Sequence, residues 1–516
     1  MKFHLLLLAT VFSLSAVYAQ NSVKGIIYHD MNKNGKRDKN EKGIPNVSVS
    51  NGVQVVQSNH KGEYTLSVGN DNIIFVIKPS DYAYPTNEKN LPQFYHIHKP
   101  LGSPELKYAG SKPTGKLPKS LDFALYHAPE NRSFKAFVFG DPQVYNLDEV
   151  NYFEKGIVQD IKDKSQFSFG ISLGDLVGNH LELHQPYIDA ISKIGLPWYN
   201  VIGNHDLNFD VTADSLSDET FERNFGPANY AFNYGDAHVI ILDDILYPHP
   251  KTGSGYQGGF RPDQLDFIAN NLKFVPKDKL IVLAFHIPLS SSMRAGDRQR
   301  LFDILAEYPN TVSMSAHTHY QKQIFYTQAD GWKQEKPHHE YNVGTTSGDW
   351  YSGAYNAQGV PASTMRDGTP KGYAILNVNG NQYSFDYKVA GESEDYQIKI
   401  AAPTVMSKKH VRRFTVYANF FMGKHDDTVE FRLNDGKWQK MTPVNIFDPN
   451  YAYEMLKFDN AEQYIKGRRP SDPVNSTHLW SIKMPNAPLG EHKLEIRAID
   501  MFGKEHKATK TIQIED

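Results

Sequence analysis

Five apolar runs of strand length each end in a residue able to ligate a metal, and a fold that gathers strand ends at one rim satisfies all five at once. Run 134–139 is followed by Asp141 and Gln143, run 167–173 by Gly174 and Asp175, and run 196–203 by Asn204, His205 and Asp206. Run 280–285 is followed by His286, and run 312–316 by His317 and His319. Such groups are costly inside a core and useful at the edge of a pocket. In an α/β sheet the crevice beyond the carboxyl ends of the strands is where ligands bind. Each residue alone has a plain structural reading: Asp141 as a helix cap, Asn204 as an Asx-turn, His286 as a satisfied buried histidine. All of those readings would have to hold together, so a metal site is the stronger reading.

The intervening sequence supplies the helices that such a sheet needs. Leu147, Val150, Phe153, Ile157, Val158 and Ile161 recur at helical spacing behind Asn146, a good N-cap. Further helices are expected around Pro262–Leu272 and 298–308, and a strand at 238–242. The alternation implies a layered α/β domain over residues 129–400, closed by a hairpin of 372–378 and 383–387. On either side the helical signal vanishes. Short β runs at 24–28, 47–49, 63–66 and 73–77 predict an all-β sandwich over 20–128, and runs such as 414–418 and 492–498 predict a second over 401–516, with a long insertion around 443–477. Residues 100–120, rich in Pro, Gly, Ser and Lys, read as linker. His96 and His98 lack a third ligand nearby and read as ordinary strand, and His338-His339 reads as a solvated turn.

Residues 1–19 resemble a secretory signal: Lys2, a short apolar run, and Val17-Tyr18-Ala19 before the expected mature start at Gln20. That run is too short to span a membrane comfortably, so the protein is expected to be exported, periplasmic or secreted. Lys and Arg total 55 against 58 Asp and Glu, a net charge of −3, so no global field draws nucleic acid or an anionic membrane. With no cysteine, the chain offers neither disulfides nor thiolate ligands, and any metal must rest on His, Asp, Glu, Asn, Gln or water.

A second ion is suggested in the first β region. Asp30, Asn32, Asn34, Lys36, Asp38 and Glu41 occupy the spacing of a calcium loop, with Gly35 at its sixth position. Strands rather than helices flank it, and only Asp30, Asp38 and Glu41 bring negative charge, so weak, structural calcium binding is expected. The competing reading is a solvated hairpin.

In the central domain Asp141, Gln143, Asp175, Asn204, His286, His317 and His319 exceed the needs of one ion, and two ions sharing a carboxylate is the economical solution. The series Asp-x-Gln, Gly-Asp, Gly-Asn-His-Asp, His and His-x-His resembles the calcineurin-like metallophosphoesterases over roughly residues 132–395. That resemblance implies one ion on Asp141, Gln143, Asp175 and His319, and another on Asp175, Asn204, His286 and His317. It implies hydrolysis of phosphate mono- or diesters by a hydroxide bridging two divalent ions, Mn, Zn or Fe. Only Asp141 and Asp175 among these ligands are negative, so the metal charge stays undercompensated and attracts an anion. His205 would stabilise the phosphoryl charge or protonate the leaving oxygen, with Asp206 orienting it. Three positions depart from the family pattern: Gln143 stands where His is common, Ala316 where Gly is usual, and Gly178 where a carboxylate is common. His180, His184 and the Gly-rich loop 344–353 with Asp349, Trp350 and Tyr351 are candidate substrate contacts. The alternative function is an exported binding module whose central domain has lost catalysis.

Overall fold

The computed structural model describes residues 21–290 and 292–516, so the signal-like segment 1–19 lies outside the described residues. The N-terminal part holds two four-stranded sheets. One runs Glu63–Val68, Asn21–His29, Phe123–His127, Tyr82–Ala83; the other runs Val55–Gln57, Ser48–Ser50, Asn72–Ile77, Tyr95–His98. Strand Glu63–Val68 alternates exposed and buried residues, as a half-buried strand should.

The central part is a pair of mixed sheets with helices outside. The first has the order Trp198–Val201, Phe167–Leu173, Ser133–Phe139, Gly372–Asn379, Gln382–Val389. The second has the order Tyr230–Tyr234, Ala237–Ile241, Leu280–Ala284, Thr311–Ser315, His338–Asn342, Lys322–Tyr326. Period two along strand Ser133–Phe139 divides its side chains between two cores. Ala136 and Val138 join the core shared with the second sheet, while Phe137 and Phe139 meet Phe153, Tyr187 and Trp198 on the helix side. Helix Leu147–Gly156 begins at Asn146, whose side chain accepts from the Glu149 N–H. Helix Pro262–Leu272 stands as read from the sequence, and the next helix, Ala295–Leu305, begins three residues before the expected start.

The C-terminal part pairs a four-stranded sheet (Ile398–Ala401, Thr415–Phe420, Leu479–Lys483, Thr442–Val444) with a five-stranded one built on Gly490–Ile499 and Glu505–Glu515. Its insertion carries the helix Pro449–Asp459 and the short strand Gly467–Arg468. The fold is thus a helix-flanked two-sheet α/β domain between β-sandwich units. Among the described residues no helix is long and apolar enough to cross a membrane.

One expectation fails outright. His338 and His339 are not a solvated turn but the start of the buried strand His338–Asn342. His338 lies 2.8 Å from both Thr311 Oγ1 and Ser313 Oγ, and His339 lies 2.8 Å from Gln323 Oε1 and 3.0 Å from the Tyr383 hydroxyl. With both ring nitrogens partnered, an imidazole is tolerated in the sheet interior.

Candidate metal centre

Parallel register brings the strand ends level. Ser172 pairs with Phe139, Leu173 with Val201, and Ala284 with Met314, so the loops that follow leave both sheets at one edge. The turns there are tight. A Cβ on Gly174 would lie 2.6 Å from His286 Nδ1, and one on Gly203 would lie 1.9 Å from the Asp175 backbone nitrogen. Only glycine allows these loops to touch.

The seven expected ligands are brought together. His286 Nε2 is 3.3 Å from Asp175 Oδ2, 3.1 Å from Asn204 Oδ1 and 3.2 Å from His317 Nδ1. Ligand atoms of Asp175, His286 and His317 all lie within 4.8 Å of one another. On the other side of Asp175, Gln143 Nε2 is 3.4 Å from Asp175 Oδ2, and His319 Nε2 is 3.2 Å from Asp141 Oδ2. Surrounding groups fix the rings: His286 Nδ1 donates to the Leu173 carbonyl and His319 Nδ1 to the Gly348 carbonyl, each at 2.8 Å, which turns Nε2 of both inward.

These donors suit divalent cations on three independent grounds. Asp141 Oδ2 and Gln143 Oε1 are buried with no hydrogen-bond partner, a cost of about 1–3 kcal/mol each unless a cation meets them. Asp141, Gln143, Asp175, His317 and His319 all sit at positive φ, between 31° and 70°. Left-handed backbone at five non-glycine residues is strain of the kind held at functional sites. The electrostatics agree. Burial pushes the His317 imidazole down to about 3 and the His319 imidazole down to about 4, so both are neutral and able to ligate. Burial also raises the Asp141 carboxyl. Against burial, the His286 imidazole holds Asp175 below the usual carboxylate range, and Asp175 in turn lifts His286 to about 10. A proton on His286 occupies a position that a cation can take.

Two expected roles need correction. Asp206 does not orient the His205 ring. It is wholly buried, and its carboxylate accepts from the N–H groups of Gly203 (2.9 Å), Leu176 (3.0 Å) and Val177 (3.2 Å), with His184 Nε2 3.2 Å away. Successive residues of the loop point apart, and Asp206 clamps two ligand loops together from behind. His205 is half-buried, and its Nδ1 lies 2.7 Å from Asn179 Oδ1 instead. His184 correspondingly faces the core, not a substrate, while His180 is exposed beside Glu182. We expect Asp206→Ala to lower folding stability by roughly 3 kcal/mol, because three buried N–H groups lose their acceptor, and to lower metal content with it. Thermal unfolding and metal analysis check this; lost turnover with both unchanged would return Asp206 to catalysis.

Among the loop candidates, the Trp350 ring stacks on His319 at 4.0 Å, the Tyr351 hydroxyl donates to the Pro142 carbonyl, and Asp349 is buried behind them. Tyr145 and Tyr256 add further wall, with ring centroids 6.1 Å from His205 and His317 respectively. Sequence reading missed Asn179 and Asp244. Asp244 accepts from the His286 and Ile287 N–H groups at 3.0–3.1 Å, and it follows a sixth strand, Ala237–Ile241, by the same strand-end rule that located the others.

Three family models match in chain order. The N terminal of Calcineurin-like phosphoesterase matches residues 31–108, Calcineurin-like phosphoesterase matches 134–321, and the C terminal of Calcineurin-like phosphoesterase matches 340–506. No curated protein matches. Among solved structures, the purple acid phosphatase PPD1 from yellow lupin (Lupinus luteus) seeds aligns at 13% identity and TM-score 0.34, over 68% of this chain and 69% of its own. Vps29 of Chaetomium thermophilum aligns at 11% identity and TM-score 0.21, over 74% of this chain and 98% of its own. The central match, 134–321, contains every proposed ligand from Asp141 to His319, and with the matches on either side of it the chain belongs to the calcineurin-like phosphoesterase family.

Proposed function

We propose that this phosphoesterase is an exported enzyme that hydrolyses phosphate mono- or diesters with two divalent ions, Mn, Zn or Fe. The observation that carries the reading is the meeting of five strand ends around Asp175. Asp141, Gln143, Asp175 and His319 would hold one ion, and Asp175, Asn204, His286 and His317 the other. When bound, such ions supply Lewis acidity, polarising phosphate oxygens and lowering the pKa of water. The protein's own groups then have distinct tasks. Asn179 holds His205 Nδ1, leaving Nε2 to meet phosphoryl charge or give a proton to the leaving oxygen. Trp350, Tyr145 and Tyr256 wall the site against water and offer flat surfaces to a leaving group. Hydrolysis of chromogenic mono- and diesters with added manganese, cobalt or zinc tests this; no turnover with any of them defeats it.

Export is supported by residues 1–19 and tested by the N-terminal sequence of mature protein recovered from the periplasm or medium, expected at Gln20. For the loop 30–41 we propose structural calcium. Asp30 already accepts from the N–H groups of Asn34 (3.2 Å) and Gly35 (2.8 Å), and Glu41 from Met31 (2.8 Å) and Asp38 (2.9 Å), so the loop is wired around its acidic residues. Millimolar calcium is expected to raise the melting temperature, and Glu41→Ala to remove that rise. A melting temperature indifferent to calcium in the unaltered protein would leave the loop a plain hairpin.

A further inference from the structure

The insertion of the C-terminal sandwich reaches the metal centre. Its strand Gly467–Arg468 pairs antiparallel with Gly353–Ala354, at the end of the Gly-rich loop that carries Trp350. Ser471 N–H donates to Asp349 Oδ2 at 2.7 Å, the Tyr451 hydroxyl donates to the Ser471 carbonyl at 2.9 Å, and Lys466 sits 5.0 Å over the Tyr355 ring. These contacts fix the insertion on the loop.

Arg468 is the residue this arrangement delivers. Its Nη1 lies 3.4 Å from the Trp350 carbonyl, a weak hold, and the Trp350 ring stacks on His319. The side chain is exposed, and among the described residues it makes no ion pair, whereas its neighbour Arg469 is bound by Asp459 at 2.6 Å and Asp472 at 3.1 Å. The Arg468 guanidinium is also near enough to Tyr145 and Glu149 to favour their charged forms slightly against burial, and the Tyr145 hydroxyl is 3.5 Å from Gln143 Nε2. A guanidinium thus stands at the rim of a centre that collects positive charge, with the Glu149 carboxylate near enough to feel it but, among the described residues, no carboxylate in ion-pair contact. An anion in the pocket relieves that repulsion.

We propose that Arg468 is a substrate-binding residue that grips a non-bridging oxygen of the substrate phosphate and so favours phosphomonoester dianions over diesters. The proposal rests on the reading under Proposed function. A monoester offers the forked guanidinium free oxygens carrying two negative charges, whereas a diester replaces one of them with an ester arm and carries one.

The test uses the full chain loaded with manganese. Calorimetric titration with inorganic phosphate is run beside steady-state kinetics on p-nitrophenyl phosphate and bis-p-nitrophenyl phosphate. Arg468→Ala is expected to weaken phosphate binding about tenfold and to raise KM for the monoester about tenfold, the size of one lost charge-assisted contact. Its diester KM is expected to rise by clearly less than the monoester KM, and its kcat, metal content and melting temperature to stay near wild type. Arg468→Lys should recover part of the affinity, and Arg469→Ala should bind phosphate as wild type does. Unchanged phosphate affinity in Arg468→Ala, equal KM increases for both esters, or a fall in metal content would overturn the proposal. Wild-type protein that takes up metal yet turns over neither ester would defeat the proposed function instead, and phosphate affinity would still read the role of Arg468.

Discussion

Asp175→Ala is expected to strip the protein of both ions and to cut turnover by about four orders of magnitude or more. Asp175 touches both halves of the donor cluster with one oxygen, Oδ2, which lies 3.3 Å from His286 Nε2 and 3.4 Å from Gln143 Nε2. Its other oxygen accepts the His205 N–H at 2.8 Å, so its loss also loosens the loop that carries Asn204. Asn204→Ala and His317→Ala remove donors from one side only and should leave about one ion with little activity. Elemental analysis of the purified variants reads these outcomes directly. Two ions retained in Asp175→Ala would mean that the carboxylate is not shared.

His205→Ala should keep both ions and still lose about 10²–10⁴ in kcat, the range for a positioned acid or base. The nature of the leaving group sharpens this test. If His205 protonates the leaving oxygen, the loss should be large for alkyl phosphates and small for nitrophenyl phosphate, whose phenolate leaves unaided. Equal losses would assign His205 to phosphoryl charge alone. Asn179→Ala, which removes the partner 2.7 Å from His205 Nδ1, should cost about tenfold in kcat with metal content unchanged. Metal loss in either variant would contradict these roles.

The donor cluster was legible in the sequence because its side chains obey a local rule, polar residues within a few positions of the end of each apolar strand. Strand position and ligand identity are both written in a few consecutive residues. What escaped depends on directions that sequence neighbours do not reveal. Asp206 adjoins His205 in the chain, yet the turn sends one side chain to the pocket and the other into the backbone of residues 176 and 177. His184 follows the second motif closely, but it opens the helix His184–Ile191 on its buried face. His338 and His339 look polar enough for a turn, and it is the hydroxyls of the adjacent strand Thr311–Ser315 and of Tyr383, with the Gln323 amide oxygen, that satisfy their rings when buried. Arg468 was beyond reach, since it arrives from another sheet system more than a hundred residues after His319. Asp244 was readable and overlooked: the rule that found Asp175 applies equally to Asp243-Asp244.

Anomalous X-ray diffraction from crystals grown with manganese bears most directly on the shared centre. Two peaks about 3.5–4 Å apart, one on either side of the Asp175 carboxylate, are the expected result. A single peak there, or peaks that leave Asp141 and His319 without a metal, would contradict it.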